Sequence, residues 1–146
     1  MSLEGKVAKR AFINPAGVRR IGAFSHAAAT KGGVTVHVSG QIALDSDGNL
    51  VGKGDLRAQT RQVLENIRLI LEEAGGSFDD VVKITQYVVG LRPEDRPVIT
   101  EVRSKYVNRD NPPASTMVGV PSLVMEGLLI EVEAVAVIDE GRSRLV

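Results

Sequence analysis

The chain has 146 residues, no net formal charge, 43% hydrophobic and 25% charged residues, the make-up of one ordinary globular domain large enough for a real core. The absence of cysteine excludes disulfides, thiolate nucleophiles and thiolate metal sites, and two histidines are too few for a usual zinc site without carboxylate help. No basic run or tail is present, aromatics are 3% and Trp is absent, which argues against nucleic acid as a partner. No apolar run reaches the roughly 18 residues of a membrane span and no signal-peptide pattern opens the sequence. The expectation is a single domain over residues 1–146, cytoplasmic, with no membrane, metal or cofactor.

Residues 1–10 are polar and are expected to be loosely held. Residues 12–20, with Asn14-Pro15 and Gly17, read as a loop or an irregular first strand. Residues 25–30 suit either strand or helix, and the Lys31-Gly32-Gly33 turn before the next strand favours a hairpin. Val34, Val36 and Val38 alternate with Thr35, His37 and Ser39, the pattern of a half-buried strand. Asp45-Ser46-Asp47-Gly48-Asn49 is a turn in which glycine supplies the positive φ.

The first helix is the clearest element. Asp55 is placed to cap its start and Gly75-Gly76 to end it. Leu56, Val63, Ile67, Leu71 and Ala74 fall on one stripe, while Arg57, Arg61, Glu65, Arg68 and Glu72 mark the wet side. Residues 81–89 read as a strand. Pro93 and Pro97 bracket the start of a second helix running to about residue 107, since proline is tolerated in a first turn. Ile99, Val102 and Tyr106 form its inner face; Arg92, Arg96 and Arg103 read as its solvated face, or as a cation brought to a neighbouring site. A loop over residues 108–113 leads into two closing strands.

On the last strand, Leu129, Glu131, Glu133, Val135 and Val137 share one face. Carboxylates in apolar company cost free energy unless something pairs with them. Glu131 and Glu133 therefore either lie on a solvated sheet face or mark a site. The order of strands, helix, strand, helix, strands implies an α+β fold, a single mixed sheet with both helices on one face. The other face is expected to be open and rich in Val, Ile and Leu, and such a face marks an association surface.

Several segments carry a resemblance together. They are Ile21-Gly22-Ala23-Phe24-Ser25-His26-Ala27, Val36-His37-Val38-Ser39-Gly40-Gln41, the helix over 59–75, Asp79-Asp80-Val81-Val82-Lys83, Pro113-Ala114-Ser115-Thr116 and Ile130-Glu131-Val132-Glu133-Ala134. In this order and spacing, over about residues 12–138, the chain resembles the RidA (YjgF-like) family of reactive-intermediate deaminases. The resemblance implies a chorismate-mutase-like α+β fold and a homotrimer joined through the sheet faces. It further implies a small-molecule pocket at each subunit interface, where enamines or imines are hydrolysed.

By position, Glu131 matches the glutamate thought to orient or activate the attacking water, a general acid–base role. Glu133 lies beside the site. Ser115 stands where the deaminases carry an Arg that grips the carboxylate of a 2-imino acid through two parallel hydrogen bonds. A serine hydroxyl cannot supply that charge, so the chain resembles an Arg-less branch, whose substrate lacks the carboxylate or is bound differently. Phe24 replaces a Tyr and loses its donor; Met117 replaces a Cys and reads as pocket wall beside Val118. Backbone N–H groups near Gly40 and Met117 are suited to an anion or a carbonyl oxygen.

His26 either takes over a polar function or is a hydrogen-bonded interface histidine, and His37 reads as a sheet-surface residue. The candidate set is thus Glu131 for catalysis, Phe24, Gly40, Ser115, Met117 and Val118 for the substrate, and His26 and Arg96 as further contacts. Three functions stay open: a RidA-type hydrolase, a trimeric protein that binds a metabolite without turnover, and an RNA-active or translation-inhibitor-like protein. Composition argues against the last.

Overall fold

The computed structural model describes residues 5–145. Its elements are β1 (Lys9–Ile13), β2 (Ala27–Lys31), β3 (Val34–Gln41), α1 (Leu56–Ala74), β4 (Val81–Val89), α2 (Asp95–Arg103), β5 (Ala114–Val120) and β6 (Ile130–Ile138), with a 3-10 turn at Phe78–Asp80. The main sheet has the order β3-β6-β4-β5. β6 runs antiparallel to both its neighbours, and β4 and β5 are parallel.

That order explains the two-layer form. The connections β3-α1-β4 and β4-α2-β5 each join strands of the same direction and step the same way across the sheet. Right-handed crossovers then place both helices on the same face. Val63, Leu64, Ile67 and Leu71 of α1 and Ile99 and Val102 of α2 form one core with Ile84, Val88, Ile130 and Val132 of the sheet. On β6 the core face is Ile130, Val132, Ala134 and Ala136, so Glu131 and Glu133 point to the opposite face. This α+β arrangement is the one the element order implied.

Local signals at α1 act as read. The Asp55 carboxylate accepts from the Ala58 N–H at 3.0 Å, satisfying one of the donors a helix start leaves free. Gly75 has φ 91°, a left-handed conformation that ends the helix. The Gly76 N–H then donates back to the Leu71 carbonyl at 2.8 Å.

Four expectations need revision. The hairpin at Lys31-Gly32-Gly33 does not form: β2 pairs with β1 in a separate two-stranded antiparallel ribbon, while β3 pairs with β6. The sheet is therefore joined by a second, smaller one. Gly32 and Gly33, both at positive φ (74° and 75°), turn the chain out of line, and a Cβ at Gly33 would lie 2.7 Å from the Ile138 carbonyl oxygen. Next, residues 9 and 10 belong to β1, and Ala8 is buried against Val82 and Val137 with its N–H donating to Asp139 at 2.8 Å. Where composition suggested loose attachment, hydrogen bonds hold the chain; residues 1–4 lie outside the described residues.

The third correction concerns the open sheet face. The β1-β2 ribbon covers one end of it, around Val82, Val135 and Val137. The remainder is divided: His37, Lys83, Thr85, Tyr87, Thr116, Glu131 and Glu133 form a polar middle, while Val118 and the next row, Val89 and Val120, keep the far end apolar. Both ends of the face thus hold the expected valines, and its middle is polar where Glu131 and Glu133 lie across from Tyr87 and Thr85. Also, α2 ends at Arg103 rather than near residue 107. Lys105 and Tyr106 donate to carbonyls three residues back, at 3.2 and 2.9 Å, which tightens the last turn.

Asp80 ties three segments together. It is 2% exposed and accepts from the Ser77 N–H (2.9 Å), from Arg10 of β1 (2.8 Å) and from Arg142 (2.7 and 3.1 Å). Removing one member of a buried charge network typically costs ~3–5 kcal/mol. Arg142 is half-exposed, so Asp80→Ala is expected to cost about 3 kcal/mol, the low end of that range. Urea denaturation checks this: the midpoint falls while the slope stays the same.

Candidate functional site

The crossover from β4 through α2 to β5 leaves a cavity of about 540 Å³ beside the edge strand β5. Ser115 and Met117 reach it from β5, and Phe24 closes it from the segment preceding β2. Phe24 is held there by its neighbour. The Ser25 N–H donates to the Pro113 carbonyl at 3.1 Å, and its hydroxyl donates to the Pro112 carbonyl at 2.6 Å. Ser25 thereby bridges to Ala114 at the start of β5. Leu91 and Pro93, from the loop between β4 and α2, supply further apolar wall.

Three arginines also line this cavity, Arg92, Arg96 and Arg103, and among the described residues no carboxylate does. Arg92 is neutralised by Asp95 at 2.9 Å and Glu94 at 3.4 Å; in return, the Arg92 hydrogen bond holds the Asp95 carboxyl below its usual range. Arg96 donates to the Ile21 carbonyl and passes so close to Gly22 that a Cβ there would lie 2.8 Å from its Nη2. Arg103 is 6% exposed, not on a solvated helix face. It follows Ile99 by four residues and so shares the inner face of α2.

The Arg103 guanidinium sits in a polar network. Its Nη1 donates to the Gln86 Oε1 and, at 3.0 Å, to the Ser115 Oγ. Nη2 reaches the Ala23 carbonyl at 3.5 Å. Gln86, itself buried, donates from Nε2 to the Ser115 Oγ at 3.0 Å and to the Thr116 carbonyl at 2.8 Å. The serine oxygen thus receives two donors, which its lone pairs allow. Burial lowers the Arg103 pKa, and the nearby Arg96 charge adds to this. A guanidinium starts from so high a value that it stays charged.

Glu131 lies elsewhere. It is opposite Tyr87 on the sheet face away from the helices, whereas Ser115 is on the helix side, opposite Ile84. Within one chain these two positions therefore do not share a cleft. The Glu131 carboxylate lies over Gly40, where a Cβ would fall 2.8 Å from its Cδ. Val118, 38% exposed, is in the same cross-strand row as Tyr87 and Glu131 and faces away from the cavity. In the neighbouring row, Glu133 accepts from the Tyr87 hydroxyl at 2.7 Å, and Lys83 donates to Thr116 at 2.6 Å. Burial lowers the Lys83 pKa, against the opposing pull of Glu133.

His26 supports Phe24, its ring edge-on at 5.4 Å, with Nε2 at 3.2 Å from the Val18 carbonyl. His37 is exposed on the open sheet face. The structure thus gathers Phe24, Ser115, Met117 and Arg96, pairs Glu131 with Gly40, and leaves Val118 and His26 outside the cavity. Arg103 was one of three arginines left open as a site cation, and Gln86 escaped sequence reading altogether. Its signal was periodicity: Gln86 alternates with the buried Ile84 and Val88 of β4. Among the described residues no group of His, Asp and Glu could hold a metal ion, and no helix is long and apolar enough to cross a membrane.

Comparisons with known proteins agree on a relationship. Residues 16–138 match the family model described as Endoribonuclease L-PSP. A RutC family protein of Pyrococcus abyssi is 40% identical over 130 residues, 89% of this chain and 98% of the relative. The 3-aminoacrylate deaminase RutC of Acinetobacter baylyi is 43% identical over 109 residues, 74% of this chain and 82% of the relative. A crystal structure of a conserved Rid-family protein of unknown function from Yersinia pestis superposes with a TM-score of 0.82 at 39% identity, covering 88% of this chain and 98% of that one.

Two outcomes are expected from this geometry. Gly40→Ala displaces the Glu131 carboxylate, visible as a changed Glu131 rotamer in a crystal structure of the variant. Both tyrosines of the chain, Tyr87 and Tyr106, have raised pKa values: the Glu133 hydrogen bond leads for Tyr87, burial for Tyr106. Absorbance titration near 295 nm is expected to show no phenol ionising at the ordinary value of about 10. Because the folded values are raised, this stabilisation is complete below the unfolded pKa and is lost as pH climbs through the folded ones.

Proposed function

The chain belongs to the RidA (YjgF-like) family, and on that premise we propose a cytoplasmic homotrimer that hydrolyses enamines, imines or related reactive intermediates at a pocket shared between copies. One observation carries this reading: Phe24, Ser115 and Met117, the wall positions suggested by the family resemblance, line a single cavity. The cavity lies along the edge strand β5, where a second copy has access. The carboxylate that would activate water is absent from that cavity, and Glu131 sits on the opposite sheet face. A neighbouring copy that turns its sheet face toward β5 brings its own Glu131 to the gap.

The chemistry then follows from simple requirements. An enamine first tautomerises to the imine. Glu131 of the adjoining copy takes a proton from water as the oxygen adds to the C=N carbon. The same carboxyl returns that proton to nitrogen, giving a carbinolamine; it then carries the hydroxyl proton to nitrogen as the C–N bond breaks and the C=O bond forms, so that ammonia leaves a carbonyl product. Phe24 and Met117 keep the reacting carbon in apolar surroundings.

A second reading has support in the same geometry. Among the described residues no carboxylate lines the cavity of the single chain, and Phe24 offers no hydroxyl, which is compatible with a pocket that binds a metabolite without turnover. Ribonuclease action, the activity in the family model's description, draws less support. His26 and His37 lie apart, one beside Phe24 and one on the sheet surface.

Ammonia release from freshly generated 2-aminoacrylate tests the first reading. Turnover above buffer is expected, with Glu131→Gln lowering it by roughly 10²-fold or more, the usual worth of a general acid–base. Sedimentation equilibrium should give three times the 15.6 kDa chain mass. A ligand that raises thermal stability yet is recovered unchanged would decide for the second reading.

A further inference from the structure

Arg103 is a buried cation without an anion. It forms no ion pair among the described residues, and its hydrogen-bond partners are all neutral: Gln86, Ser115 and the Ala23 carbonyl. Charges of this kind are costly unless they are paired. Arg96, on the same wall, also has no carboxylate partner among the described residues, and its positive charge raises the cost further. Arg92, by contrast, is already satisfied by Asp95 and Glu94. The cavity therefore combines two uncompensated guanidiniums with an apolar lining of Phe24, Met117 and Leu91.

The position of Arg103 relative to Ser115 sharpens this. Its Nη1 lies 3.0 Å from the serine oxygen. The guanidinium thus enters from α2 the space beside the β5 position that the family resemblance associates with a carboxylate-binding Arg. A long side chain at 115 would meet it head-on, charge against like charge; serine leaves it room and accepts its hydrogen bond.

We propose that Arg103, assisted by Arg96, is the carboxylate-binding residue of this cavity, and that its ligand is a small organic acid with a short apolar body, such as a 2-imino or enamine acid. This deepens the hydrolase reading and rests on it only for the identity of the reacting group; binding is testable without turnover. The Nη2 edge, which makes one long hydrogen bond at 3.5 Å, is the donor edge free to turn to a carboxylate. Arg96 supplies the second positive charge at the mouth.

The test uses calorimetric titration of the full chain with 2-oxobutanoate, the stable keto counterpart of an imino acid. Uncharged 2-butanone and inorganic sulfate are the comparison ligands at matched ionic strength. 2-Oxobutanoate is expected to bind at least tenfold more tightly than either. Arg103→Gln should weaken it tenfold or more and Arg96→Gln several-fold. Adding Ser115→Arg to Arg103→Gln should restore binding, since the cation then returns from β5.

Where Arg103→Gln does not fold, the Nε–Hε resonance of Arg103 in the unaltered protein decides. A shift on adding 2-oxobutanoate supports the assignment; binding with no shift overturns it. Equal binding of 2-butanone, equal binding of sulfate, no binding of any probe, or unchanged affinity in a folded Arg103→Gln protein would each overturn it too. The two readings separate cleanly. Arg103-dependent binding without ammonia release removes the hydrolase reading alone, and ammonia release with Arg103-independent binding removes this inference alone.

Discussion

The interaction on which the candidate site depends is the buried triangle of Arg103, Gln86 and Ser115. It connects the last turn of α2 to both strands that α2 joins, and it does so with a full positive charge placed where water is nearly excluded. Each corner depends on the others. Gln86 is turned by its bond to the Thr116 carbonyl so that its oxygen faces Arg103, and Ser115 is small enough to admit the guanidinium. A neutral network holding a cation can orient it but cannot cancel its charge. The electrostatic character of the whole cavity follows from that residue.

The sheet divides the chemistry in two. Alternation along β6 sends Ile130, Val132, Ala134 and Ala136 into the helix-packed core and Glu131 and Glu133 to the other side. The cavity belongs to the helix side and the carboxylates to the open side. Strand geometry makes this separation unavoidable, since successive side chains leave a strand in opposite directions. On the proposed reading, a second copy of the chain brings acid and cavity together across the polar middle of the open face. The β1-β2 ribbon shields its apolar end, around Val82 and Val137, without covering the rows that carry Tyr87, Glu131 and Glu133.

Three positions suggested by the resemblance, Phe24, Ser115 and Met117, lie together along one cavity. Serine on β5 left two readings of the α2 arginines open, a solvated face or a cation brought to the site. In the structure Arg96 and Arg103 of α2 line the cavity, the second of those alternatives. Arg103 belonged to the inner stripe of Ile99, Val102 and Tyr106, and reading it as solvated followed from charge alone. Long side chains bury their stems and carry their charged ends wherever a partner waits, so periodicity was the better guide here than residue type.

Elements governed by neighbours in sequence were legible. The Asp55 cap and Gly75 stop of α1, the Gly48 turn, the alternation of β3, β4 and β6, and the α+β order all follow from interactions within a few residues. The pairing of β2 with β1 rather than β3, the polar middle of the open face, the burial of Arg103 and the separation of Glu131 from Ser115 were settled only by tertiary structure. Each depends on which segment, distant in sequence, lies across from it. A strand's pattern says that it has two faces, and only the packed chain says what each face meets.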